Sequence, residues 1–159
     1  MFDRIMLSKI FKTNADIVPA IIRLAAGVLF FYHGAQKMLG WWGGPGYSAM
    51  MQGFESQGIP AVLAFLAIAA EFFGGIGLII GFLSRIAAFG ITVNMIVAIL
   101  TVNLQFGLSM NWTGQQKGEG FEYHLLVLAI TFSIMITGGG AFSVDGMIYK
   151  GETYRQHSA

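Results

Sequence analysis

The chain has 159 residues, 55% hydrophobic and 11% charged, with a mean hydropathy of +0.67 and a formal net charge of +1. A soluble domain carries about twice that charged fraction, so the composition excludes that class and points to an integral membrane protein of one domain. There is no cysteine to form a disulfide, a thiolate cluster or a thiol relay, and no basic tract to support a nucleic-acid partner.

Residues 1–16 are polar and of mixed charge, and the apolar run after them is longer than the core of a secretory signal. That run, about residues 17–39, reads as a retained first span, with Pro19 suited to the first helical turn. Trp41-Trp42-Gly43-Gly44-Pro45-Gly46 follows directly and reads as a headgroup-layer anchor. From Tyr47 to Gly58 the pattern predicts a short amphipathic helix. Its apolar face is Tyr47, Met50, Met51 and Phe54, and its polar face Gln52, Glu55 and Gln57. It is expected to lie flat on the outer surface, as an anchor or a lid. The remaining spans are about 60–83, 85–106 and 120–137, the last stopping at Gly138-Gly139-Gly140. Backbone groups in lipid must be satisfied internally, so these are helices. The fold class predicted is all-α, an integral membrane four-helix bundle over 17–147, flanked by cytoplasmic segments 1–16 and 148–159.

Orientation follows from the basic residues. Arg4, Lys9 and Lys12 precede the first span, Arg85 lies between the second and third, and Lys150 and Arg155 follow the fourth. All six fall on one side if both termini are cytoplasmic. The opposite loops hold Lys117, with Lys37 at a helix end.

Glu71 is the only charged residue in the second span. A charge at the bilayer centre costs at least about 3 kcal/mol, so Glu71 must be paired, protonated or turned to a polar cavity. It lies beside a small-residue face of Ala67, Ala70, Gly74, Gly77 and Gly81, which lets another helix approach closely. A rise of about 1.5 Å per residue converts sequence into depth. Antiparallel alternation then gathers His33, Lys37, Asn103, Glu122 and His124 in the outer half, with Gln36 beside Lys37 and with Glu71 and Asn94 as a floor. Arg23 lies one to two turns inside the cytoplasmic end, with a stem long enough to snorkel back.

These residue types offer proton handling, because imidazole titrates near neutral pH, and hydrogen-bond donors for quinone carbonyls. Glu71, His33 and His124 are the candidate proton carriers. Arg23, Gln36, Lys37, Asn94, Asn103 and Glu122 are candidate ligand contacts. The opposing reading is structural: Glu71 in an ion pair with Arg23 or Lys37, and the asparagines as interhelical hydrogen bonds. No local spacing matches a metal motif, so no metal ligands are assigned; a divalent metal held by two histidines and two carboxylates, and haem between His33 and His124, are weaker options than quinone.

Three motifs resemble the DoxX family of small bacterial membrane proteins. They are Arg23-Leu24-Ala25-Ala26-Gly27-Val28-Leu29-Phe30 leading to His33-Gly34-Ala35-Gln36-Lys37; Gly58-Ile59-Pro60 with Glu71-Phe72-Phe73-Gly74-Gly75 and Gly81-Phe82-Leu83-Ser84-Arg85; and Gly120-Phe121-Glu122-Tyr123-His124-Leu125-Leu126 closing with Gly138 to Asp145. The resemblance implies a four-helix bundle of the bacterial inner membrane. The family takes its name from the small subunit of a thiosulfate:quinone oxidoreductase, which implies a redox-associated role with a quinone or similar ligand. It leaves open whether the chain is itself an enzyme. A structural or assembly subunit with a redox partner, a homo-oligomer and a small proton-coupled transporter are the other readings.

Overall fold

A computed structural model describes residues 9–157, with side chains to residue 150. Arg4 and the side chain of Arg155, two of the basic residues used for orientation, lie outside that range. Among the described residues the chain is all helical, with no strand.

Helix α1 spans Ile17–Leu39; the Asp16 carboxylate accepts from Val18 N and caps its start, and Gly40, at φ 72°, ends it. Trp41–Gly43 form a 3₁₀ turn that stacks Trp42 on Tyr32, ring centroids 4.9 Å apart. The short surface helix is α2, Gly46–Ser56, and none of its residues is buried. Helix α3 is Ala61–Ile80 and ends at Gly81, also left-handed. Helix α4, Ser84–Ala98, runs on through a π segment, Ile99–Asn103, and a 3₁₀ turn, Leu104–Phe106. Helix α5 is Glu122–Thr137. Helix α6, Val144–His157, was not anticipated in a region expected to be a tail.

Among the described residues three helices are long and apolar enough to cross a membrane: Ile17–Leu39, Ala61–Ile80 and Ser84–Phe106. The fourth expected span is apolar but has 16 residues, about 24 Å of helix against a hydrocarbon core of about 30 Å. The surface fits lipid: Val62 is 70% exposed, Leu126 66% and Ile136 75%.

The four apolar helices pack in a circuit, α1 on α3, α3 on α4, α4 on α5 and α5 back on α1. The α1–α3 contact is close because it is built on glycine. A Cβ on Gly34 would lie 2.5 Å from the Phe72 backbone, and one on Gly75 would meet the Phe31 amide. Between α4 and α5 the Thr92 hydroxyl donates to Thr131 Oγ1 at 2.7 Å. Ala26, Phe30, Leu78, Ile91, Met95, Val127 and Ile134 fill the core. Gly140 N donates to Thr13 Oγ1 and Ala141 N to Asp16 O, so the chain before α1 meets the chain after α5. That end, which also holds the α3–α4 turn, is the termini end. The opposite end, with Trp41, Trp42 and the 107–121 loop, is the loop end.

Candidate polar site at Glu71

The buried residues of α3 include Ala64, Ile68, Glu71, Gly75 and Leu78. This three-and-four spacing places Glu71 on the inward stripe, in line with apolar neighbours. Its carboxylate is met from two sides. Lys37 Nζ, on the last turn of α1, lies 2.6 Å from Oε1 and 2.5 Å from Oε2. Asn94 Nδ2, on α4, donates to Oε1 at 2.9 Å. Three helices are thus joined through one side chain. Glu71 is 6% exposed, while Lys37 keeps 29% of its side chain accessible. The charge is neutralised by a partner rather than left in the apolar phase, which is the condition for an ionised carboxylate at this depth. Tyr123, at the start of α5, is close enough to interact electrostatically with Glu71.

The other candidates divide. His33 is half-buried on α1, its ring edge-on to Tyr32, and Gln36 Nε2 donates to the Tyr32 hydroxyl at 3.4 Å. Asn103 Nδ2 donates to the Glu119 carbonyl at 2.9 Å and holds the loop to the π segment. Glu122 Oε1 accepts from Met110 N and Trp112 Nε1, so it organises the same loop. His124 is half-buried beside Tyr123, ring centroids 5.5 Å apart, and its Nδ1 is buried.

Arg23 is not with this group and does not snorkel. It is 1% exposed at the termini end. Nε donates to Gly139 O at 2.8 Å, and Nη1 to Leu78 O and Ile79 O at 2.5 and 2.7 Å. Nη2 reaches Ala141 O and Phe142 O at 3.4 and 3.3 Å. Its charge therefore lies on the open carbonyls that end α3, where a cation complements the helix dipole.

Sequence reading missed the role of Asp145. Its carboxylate accepts from Leu83 N and Ser84 N at 2.7 and 2.9 Å, capping the start of α4 from the first turn of α6. The signal available was the carboxylate next to the glycine run, but nothing local tied it to a turn 61 residues earlier. Arg85 was read only as an orientation charge; it also donates to Met135 O and Lys12 O.

Chemically, the Glu71 cluster offers a neutralised ion pair with an accessible ammonium beside an amide. It holds no redox group of its own. Among the described residues no three His, Asp or Glu side chains converge as metal ligands.

No curated protein and no solved structure gives a significant match to the chain. The family model described as DoxX matches residues 18–104, more than half of the chain and the stretch that holds Lys37, Glu71 and Asn94, and the protein belongs to the DoxX family.

Proposed function

We propose that this DoxX-family protein is a four-span bundle of the bacterial inner membrane. It binds a quinone or a similar small amphipathic molecule at the Lys37–Glu71–Asn94 cluster. The observation that carries the reading is the asymmetry of the ion pair: Glu71 is enclosed, while Lys37 stays accessible. An ammonium has three N–H donors, and both Lys37 contacts go to one carboxylate. An N–H remains for a ligand oxygen. A quinone carbonyl, an acceptor on an apolar ring, fits that donor, while Asn94, whose Nδ2 already donates to Glu71 Oε1 and Ala67 O, borders the site and holds Glu71 in place. When bound it would supply the redox chemistry that the side chains lack. Glu71 aims Lys37, and His33 and His124 are the groups suited to exchange protons with the ligand.

In this proposal 17–147 is the bundle domain, and segments 1–16 and 148–159 face the cytoplasm. Lys9, Lys12, Arg85 and Lys150 at the termini end, against Lys117 in the 107–121 loop, support that orientation. Four spans require the shorter α5 to cross where the bilayer thins or flanking residues snorkel.

The test is to purify the protein in mild detergent and extract co-purifying quinone. Wild type should carry quinone, and Glu71→Gln and Lys37→Met should carry much less. Equal, negligible amounts in all three would sink the reading.

A structural or assembly subunit of a membrane oxidoreductase is the second reading. It is favoured by the completeness of the Glu71 contacts, which join three helices without a ligand. Under it, Glu71→Gln lowers the amount of complex recovered but not turnover per complex.

A further inference from the structure

His124 is a polar group that the Glu71 cluster does not absorb. Its Nδ1 is buried and has no hydrogen-bond partner among the described residues. Either protonation form leaves a need unmet: a protonated Nδ1 lacks an acceptor, and an unprotonated one lacks a donor.

The direction of the ring follows from helix spacing. Val127, Thr131 and Ile134 are the buried residues of α5, and His124 is the next position of that stripe toward the loop end. On α1, Ala26 and Phe30 belong to the core, and His33 and Lys37 continue their stripe the same way. α5 packs on α1, so the two stripes lie on the inward sides of neighbouring helices.

The depth follows from contacts that set the register. Thr131 meets Thr92, and Asn94 meets Glu71. His124 is seven residues beyond Thr131, about 10 Å, and Asn94 two beyond Thr92, about 3 Å. His124 therefore lies about 7 Å toward the loop end from the Glu71 level. Gly34 abuts Phe72, and Lys37 is three residues further on, about 4.5 Å. Phe72 lies one residue from Glu71 on the termini side, so the Cα atoms of Lys37 and His124 stand within about 4 Å of the same depth, both toward the loop end.

We propose that His124 Nδ1 is the second pole of the ligand site whose first pole is Lys37, and that the ligand is a hydroxyl-bearing aromatic amphiphile of the hydroquinone class. This rests on the ligand-binding reading above and narrows its chemistry. A hydroxyl both donates and accepts, so it satisfies Nδ1 in either form, whereas a carbonyl or an ether oxygen only accepts. Lys37 donates to an oxygen of the same ligand.

The experiment uses the full chain in detergent with ¹⁵N-labelled imidazoles. The three histidines, His33, His124 and His157, are assigned with His33→Gln and His157→Gln. The probes are a decyl-substituted hydroquinone, its quinone, and its O,O-dimethyl ether. The expected result is a shift of the His124 Nδ1 resonance with the hydroquinone, which binds roughly ten-fold tighter than the ether. His124→Phe removes that preference. The comparison of probes on the unaltered protein stands even if the variant folds poorly. Equal binding of hydroquinone and ether, or a shift confined to His33, overturns the inference. If all three probes bind through Lys37 and Glu71 without preference, the inference falls and the ligand site stands. If none binds to the unaltered protein, both fall.

Discussion

Arg23 and Asp145 grip opposite sides of one three-residue turn. Arg23 takes the carbonyls of Leu78 and Ile79, which end α3, and Asp145 takes the amides of Leu83 and Ser84, which begin α4. Each charge sits on the helix end whose dipole it complements. The two side chains interact electrostatically and come from α1 and α6, so the hairpin is clamped by elements at both ends of the described chain.

Asp145→Ala should destabilise the protein by about 1–3 kcal/mol, because two amides lose a charged acceptor and Arg23 loses a nearby anion. Asp145→Asn should recover part of the loss, since one carbonyl oxygen remains. Thermal unfolding in detergent, followed by helical circular dichroism, checks the order wild type, Asn, Ala. An alanine variant as stable as wild type would remove the clamp.

Arg23→Lys is not a conservative change here. One ammonium cannot serve the five carbonyls that the planar guanidinium reaches from one position. The expected cost is about 2 kcal/mol or more. Ligand bound per folded molecule should be unchanged, because Arg23 lies away from Glu71. Measuring unfolding and bound quinone on one preparation separates the two effects.

Lys37→Met should cost more than the double change Lys37→Met with Glu71→Gln. The single variant strands a carboxylate at 6% exposure, while the double variant leaves a neutral amide that Asn94 can still pair. Breaking a buried pair costs about 3–5 kcal/mol, and a double-mutant cycle should show coupling on the order of 2 kcal/mol. Additive effects would mean that the pair contributes nothing to the fold.

Gly34→Ala should unseat α1 from α3. The added Cβ meets the Phe72 backbone, which cannot yield as a side-chain tip would. Overpacking of this kind costs about 1–3 kcal/mol and often more. Gly53→Ala on α2 is the control: a Cβ there meets nothing within 4 Å, and the helix gains about 1 kcal/mol of propensity. Similar unfolding temperatures for the two variants would contradict the packing.

What the sequence revealed and what it hid have physical reasons. The long spans were legible because lipid demands apolar runs of a set length. Glu71 stood out because a charge in such a run needs a partner, and Lys37 was among the partners foreseen. Asn94 was placed at the right depth, but depth says nothing of rotation about the helix axis, so its contact with Glu71 was not legible. Arg23 was placed at the right end, but its burial was not legible, for a related reason. A long side chain near a helix end reads as snorkelling, and the carbonyls that hold it come from residues 78–142, which local pattern cannot bring together. Helix α6 was hidden because its composition is polar and its apolar spacing weak. Its start is capped by Ser143, whose Oγ accepts from Gly146 N, while the partners of its first-turn Asp145 lie in the α3–α4 hairpin.

The π segment at Ile99–Asn103 has a consequence for counting. Its hydrogen bond from Leu104 N to Ile99 O closes a turn one residue wider than an α turn. In an unbroken α-helix, nine residues of about 100° each would put Asn103 on the opposite side of the axis from Asn94. Absorbing one residue in the wide turn brings it back to within about 80°. Asn103 is accordingly buried and reaches the Glu119 carbonyl. The number of residues between the two asparagines therefore aims the last third of the helix as much as their identity does. A single deletion there would act as a rotation, swinging the loop that carries Glu119 and leans on Glu122 without touching either.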